Sequence, residues 1–323
     1  MSPSPHPTNP DAAEYPKPLL TVGQQIAHTK SKGITFDLCS EKDAAKHLRE
    51  KCQFFRIYAY RRNFVKHGGG SRDGQYVGLD FGHLKALSNL DRMLRDALLP
   101  MTLDVEHFAK VRLLAAAEDN GEDGYTIMHD YRKCLTEGER SRIDGELARR
   151  QNDPYTGQVV RKYLEDIPIW AFYEVVSFGI FADLVKFCSA RWEDRFLADI
   201  HYQLKNSRQI RNAGAHGACI LNDVMSYAPA PRPPASLVNA MNAHGIPKRL
   251  RAKWLRSRRM VQVCSLLHLF SCIVPAGSVR SDRKMALACL FEAVDASDLP
   301  LENPSMAALL FLKRLTASLG PLN

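Results

Sequence analysis

Apolar residues in this chain recur every three or four positions, and alternating strand patterns are scarce. That periodicity restricts the chain to helices packed on helices. The stretch Phe196-Leu197-Ala198-Asp199-Ile200-His201-Tyr202-Gln203-Leu204 carries it at 196, 197, 200 and 204. A second long amphipathic repeat runs from Asp80 towards Leu99, where Pro100 predicts the start of another helix reaching about Ala117. Helices are also expected over 21–31 (ending at Gly33), 41–60 (entered after Ser40), 125–134, 137–149, 157–164, 168–187, 249–273, 280–293 and 304–318. Glu118 to Gly124 reads as an acidic loop. The glycine-rich run from His67 to Gly74 reads as a connector, because it lacks the Gly-Lys-Ser/Thr ending of a phosphate-binding loop. The expected fold class is all-α, a bundle of roughly a dozen helices.

The 323 residues, 45% hydrophobic, are enough to bury a substantial core. Residues 1–18 carry six prolines and predict a disordered tail. Residues 19–227 are the expected helical core and 228–236 a proline-rich connector. The basic and apolar helices of 237–323 are expected to pack on the same fold. The first residues lack an apolar h-region, so no secretory signal is expected. The longest charge-free apolar run, Val261 to Val274, is too short for a bilayer and reads as a buried helix, so no membrane partner is expected.

The eight cysteines show no Cys-x-x-Cys, which fits reduced thiols in a cytoplasmic protein. His216-x-x-Cys219 and Cys264-x-x-x-His268 each offer two ligands without a second pair nearby, so neither a metal nor another cofactor is expected.

The formal charge is +9, and seven of those cations lie within twelve residues that contain no acid: Lys248, Arg249, Arg251, Lys253, Arg256, Arg258 and Arg259. Such local basicity favours an anionic partner, RNA most simply, through counterion release; a solvated helix face is the alternative. Phe54, Phe55, Tyr58 and Tyr60 beside Arg56, Arg61 and Arg62 fit either a base-stacking patch or an aromatic core. Glu174 is a single acid inside the apolar 168–187 stretch. If buried it needs a partner, and the arginines near 211 are candidates.

The stretch richest in chemistry is Arg211-Asn212-Ala213-Gly214-Ala215-His216-Gly217, which continues the 196–204 helix or opens the next. On a helix Asn212 and His216 share a face, while Arg211 and His216 stand roughly 140° apart. Arginine offers a planar donor fork for a phosphate, and histidine moves a proton near neutral pH. Together they suit RNA cleavage in which the ribose 2′-OH attacks its own phosphate, without a metal. That reaction wants a base and an acid, and a symmetric homodimer would supply both. On spacing alone the alternative is a buried helix whose Arg and His are satisfied by ordinary hydrogen bonds.

Arg-Asn-x-x-Ala-His followed by Leu221-Asn222 resembles the core motif of bacterial abortive-infection Abi proteins, the AbiD/AbiF group of the HEPN superfamily. The likeness recurs along the chain. It is carried by Pro18 through Gly33, by Gln53-Phe54-Phe55-Arg56-Ile57-Tyr58-Ala59-Tyr60, and by Leu90-Asp91-Arg92 with Leu94-Arg95. Glu106 falls where that family has an acid, and Trp170, Glu174 and Ser177-Phe178-Gly179 continue the likeness. Three departures stand out. Gly217 replaces a frequent second histidine, Cys219 replaces an arginine, and Met306-Ala307-Ala308-Leu309 stands for a Met-Gly-Phe-Pro turn.

The resemblance implies a HEPN-like bundle acting in anti-phage defence as a homodimeric, metal-independent endoribonuclease or toxin, held in check by a small RNA or another antitoxin. In it Arg211 binds the scissile phosphate, His216 is the acid/base and Asn212 orients them, while Lys205 and Arg208 guide RNA to the site. The alternative is a non-catalytic RNA-binding or scaffold protein of the same fold.

Overall fold

Helix boundaries are set first by local capping. Thr21 caps α1 (Val22–Ser31), its hydroxyl accepting from the Gln24 backbone while the Gln24 side chain accepts from the Thr21 N–H, 2.8 Å away. The Ser40 hydroxyl caps α2 (Glu41–Glu50) by accepting from the Asp43 N–H, 3.1 Å away. The computed structural model describes residues 18–226 and 232–318; of the expected 1–18 tail residues 1–17, and of the 228–236 connector residues 228–231, lie outside the described residues. Among the described residues there are fifteen α-helices and no strand beyond two isolated bridges. The fold is all-α.

The chain divides into two units, Met1–Lys85 and Ala86–Asn323. In the first, the single helix expected over 41–60 is instead three pieces: α2, α3 (Phe54–Ala59) and a 3-10 turn, Tyr60–Asn63. The apolar phase explains the break. Ala44 and Leu48 are buried and would put Phe55 on the same face, yet Phe55 is exposed and Ile57, Tyr58 and Tyr60 are buried. The break at 51–53 resets the phase. Phe54 stacks on Tyr58 at 4.7 Å, and Arg61 lies 4.0 Å over the Tyr58 ring, so these aromatics build the core of this unit. Asp80, also buried, accepts from Thr35 Oγ1, the Asp37 N–H and the Gly82 N–H, fixing the start of α4 (Phe81–Asp119).

In the second unit α4 runs straight through Pro100, where a helix start was expected. The proline removes one N–H donor, a defect of roughly 3 kcal/mol. Leu98, Met101 and Val105 around it are all fully buried. At about 1.5–3 kcal/mol each, those side chains outweigh the lost bond. Then follow α5 (Thr126–Cys134), α6 (Glu137–Arg150) and α7 (Gly157–Lys162).

The expected 168–187 helix is split into α8 (Ile169–Val175) and α9 (Phe178–Arg191). Val176 is extended, and the Ser177 N–H donates to the Glu146 carboxylate of α6, a cap supplied from a distant element. The chain continues as α10 (Arg195–Ala215), α11 (Ala235–Ala243), α12 (Lys248–Trp254), α13 (Arg258–Ile273), α14 (Ser278–Asp295) and α15 (Pro304–Ser318). The expected 249–273 helix is α12 and α13, separated where Ser257 caps α13. α13 is buried on nearly every side and packs with α9 against α10, which leaves Tyr202, Lys205, Gln209 and Arg211 of α10 exposed.

Candidate functional site

α10 begins at its cap, Asp194, which accepts from the N–H groups of Phe196 and Leu197. It buries Leu197, Ile200, Leu204, Ser207 and Ile210. It ends inside the motif. His216 is the C-cap residue and Gly217 adopts φ +61, with Gly217 N–H donating to Gly214 O (3.0 Å) and Ala218 N–H to Ala213 O (2.8 Å). This pair of bonds is the Schellman arrangement, which calls for glycine at the left-handed position. The helix therefore stops here, and Gly217 is what stops it. Gly214 serves packing instead. An added Cβ there would lie 3.2 Å from Leu99 Cβ, so the missing side chain lets α10 sit against α4.

The backbone beyond the motif is held by a buried ion pair on α4. Asp91, fully buried, accepts from the Arg95 guanidinium and from the N–H groups of Ile220 (3.2 Å) and Leu221 (2.7 Å). Arg95 also donates to Ala218 O, 3.2 Å away, and the Ser305 hydroxyl of α15 donates to Leu221 O at 3.0 Å. These bonds converge on 218–221, so the chain just beyond His216 is anchored from both α4 and α15.

Arg211 and His216 are both exposed, and Asn212 is half-buried with Oδ1 3.5 Å from Arg211 Nη1. Beside them on α4 stands Glu106. Burial pushes its carboxyl above the usual range, the nearby charges of Lys110 and Arg211 oppose that, and Glu174 adds to it. Lys110 Nζ bridges two acids, 3.9 Å from Glu106 and 3.6 Å from Glu174. Glu174 is thus an exposed acid paired with Lys110; it is neither buried nor paired with an α10 arginine as the sequence suggested. Lys110 went unread in the sequence, although it stands one helical turn from Glu106.

Lys205 is exposed on α10. Arg208 is half-buried and lies across Gly179 of α9, where an added Cβ would clash with its guanidinium, so the glycine of Ser177-Phe178-Gly179 makes room for an α10 arginine.

The structure keeps the basic segment together but does not present all of it. Lys248, Arg249, Lys253, Arg256 and Arg258 are exposed. Arg251 turns inward to donate to Ile246 O, and Arg259 is half-buried. Arg249, Lys253 and Arg256 share a pocket of about 370 Å³ with Met225, Ser226 and Ser257, next to the chain that leaves the motif. Neither suggested metal pair gains further ligands. Among the described residues no group of three or more His, Cys, Asp or Glu side chains is placed to hold a metal ion.

The elements just described, from His47 in α2 to Asn222 beyond the motif turn, match the family described as Abi-like protein over residues 47–222. The chain belongs to the Abi-like family. The match covers more than half of the chain, ends at the anchored turn and excludes α11–α15. Membership assigns the protein to abortive infection, a defence role. No curated protein and no solved structure matches the chain. Among the described residues no helix is long and apolar enough to cross a membrane.

Proposed function

We propose that this Abi-like protein is a HEPN-type endoribonuclease that cuts RNA without a metal in the cytoplasm, used against phage. The observation that carries the reading is the exposed end of α10, where Arg211, Asn212 and His216 stand on a turn anchored by Asp91, Arg95 and Ser305. An anchored turn holds a proton-transfer group in a fixed place, and positioning of that kind is worth several kcal/mol of barrier. Arg211 takes the scissile phosphate, and the 2′-oxygen attacks phosphorus as its proton leaves to a base. The 5′-oxygen departs with a proton from an acid, leaving a 2′,3′-cyclic phosphate and a 5′-hydroxyl. One His216 fills one of these roles.

The second role falls to His216 of a second copy. Leu103, Val111 and Leu114 of α4 are 52%, 49% and 38% exposed, and with His107 they span an arc of about 80° adjoining Lys110. An exposed apolar stripe beside the site suits self-association. Lys205 and the exposed cations of 248–259 guide the RNA, and a small RNA or another antitoxin restrains the protein.

The test is His216→Ala. It removes an exposed side chain, so the fold survives, and cleavage falls by roughly a hundred- to ten-thousand-fold. Phage protection falls with it, Arg211→Lys restores Arg211→Ala only in part, and EDTA changes nothing. A folded His216→Ala protein that protects as well as wild type overturns the reading. A second reading, RNA binding without cleavage, is favoured by Gly217 and Cys219 at positions where the resemblance leads one to expect His and Arg. Mapping RNA ends for cyclic phosphate after induction separates the two.

A further inference from the structure

Between α12 and α15 lies a groove of about 500 Å³, of which the ribonuclease reading uses only Arg249 and Lys253. Its floor is aliphatic, with Leu250, Leu301 and Leu310, and Leu301 is 68% exposed. Its rim carries Arg249, Lys253 and Arg314, all exposed; among the described residues none of the three is in an ion pair, and no acid lines the groove. Trp254 and Phe311 beneath it are buried and stacked on each other, ring centroids 5.7 Å apart. No ring face is left there for a nucleic-acid base to stack on, which is how single strands are usually gripped.

An apolar trough edged by cations that are outside any ion pair, Lys253 resting 4.8 Å from the centre of the Trp254 ring, is complementary to a helix with leucine-like anchors on one face and carboxylates beside them. We propose that this groove docks an acidic amphipathic helix of a protein partner. Arg249 and Lys253 also line the second pocket, beside Ser226, where they face the chain leaving the motif. A docked carboxylate engages the same two cations that RNA would use, so partner and RNA compete. The docking stands without the ribonuclease reading; the competition rests on it.

The experiment uses the full chain carrying His216→Ala, so that only binding is read. The probe is a fluorescein-labelled synthetic peptide with leucines at i, i+3, i+4 and i+7 and flanking glutamates; a scrambled peptide of the same composition is the control. Fluorescence anisotropy is expected to show the ordered peptide binding at least about tenfold more tightly than the scrambled one. Leu301→Asp and Arg314→Glu, both at exposed positions, each weaken it about tenfold while leaving single-stranded RNA binding unchanged. The ordered peptide also displaces the RNA.

Equal binding of the scrambled peptide, or indifference to both substitutions, overturns the docking site. So does a loss of RNA affinity in those two variants, which assigns the groove to RNA. A docked peptide that leaves RNA affinity unchanged overturns the competition. A docked peptide on a protein that binds no RNA upholds the groove and sinks the ribonuclease reading alone.

Discussion

At Gly217 the backbone conformation decides what a substitution does. A left-handed residue with a Cβ costs about 1–2 kcal/mol, so Gly217→Ala, and equally Gly217→His, should lower stability by that amount in thermal melts. A histidine there that leaves the melting temperature unchanged would show that the Schellman turn is not needed. Glu106 gives a pH-dependent outcome. Its folded carboxyl holds a proton to higher pH than the unfolded chain does, because burial outweighs the attraction of Lys110 and Arg211. Stability is therefore lost as pH rises from the usual carboxylate range through the raised value, and the full cost is present above it. Glu106→Gln should melt higher than wild type at pH 8, with the advantage vanishing below about pH 4. A constant difference across pH would assign the effect to packing.

Among the elements, α4 does the most positioning. It supplies Asp91 and Arg95 to the motif turn, Leu99 to Gly214, and Glu106 with Lys110 to the neighbourhood of Arg211. These contacts need one continuous helix through Pro100. Pro100→Ala restores a donor for the carbonyl of Asp96 and removes the ring clash, but it also loosens the unfolded chain. The net should be a gain on the order of 1 kcal/mol, below the roughly 3 kcal/mol of an isolated helix-breaking proline. Urea denaturation measures it. A destabilised Pro100→Ala protein would mean that a proline-induced bend is required for packing. α9 and α10 divide the remaining work: Gly179 receives Arg208, and Ser177, capped by Glu146, sets where α9 starts.

For the whole molecule, the proposed chemistry needs two copies. Leu103→Glu with Val111→Glu places charge on the exposed stripe of α4 without touching the core. Sedimentation velocity should show the double variant as a monomer, with cleavage reduced by at least about a hundredfold, the worth of one proton-transfer group. A monomer that still cleaves at the wild-type rate removes the second copy from the mechanism.

The sequence alone determined the helical class, most capped helix starts, the position of Arg211, Asn212 and His216, and a family likeness that the match over residues 47–222 bears out. Those features rest on periodicity and on side chains that act within three or four residues, such as Thr21 on Gln24 and Thr136 on Glu139. Tertiary structure alone decided the rest. It carried α4 through Pro100 and broke the long stretches at 51–53 and at 176–177, where Glu146 of α6 caps α9. It also paired Glu174 with Lys110 and set Asp91 against the backbone of Ile220, 129 residues further along. Burial and long-range hydrogen bonds are settled between segments far apart in the chain, so no local pattern reports them.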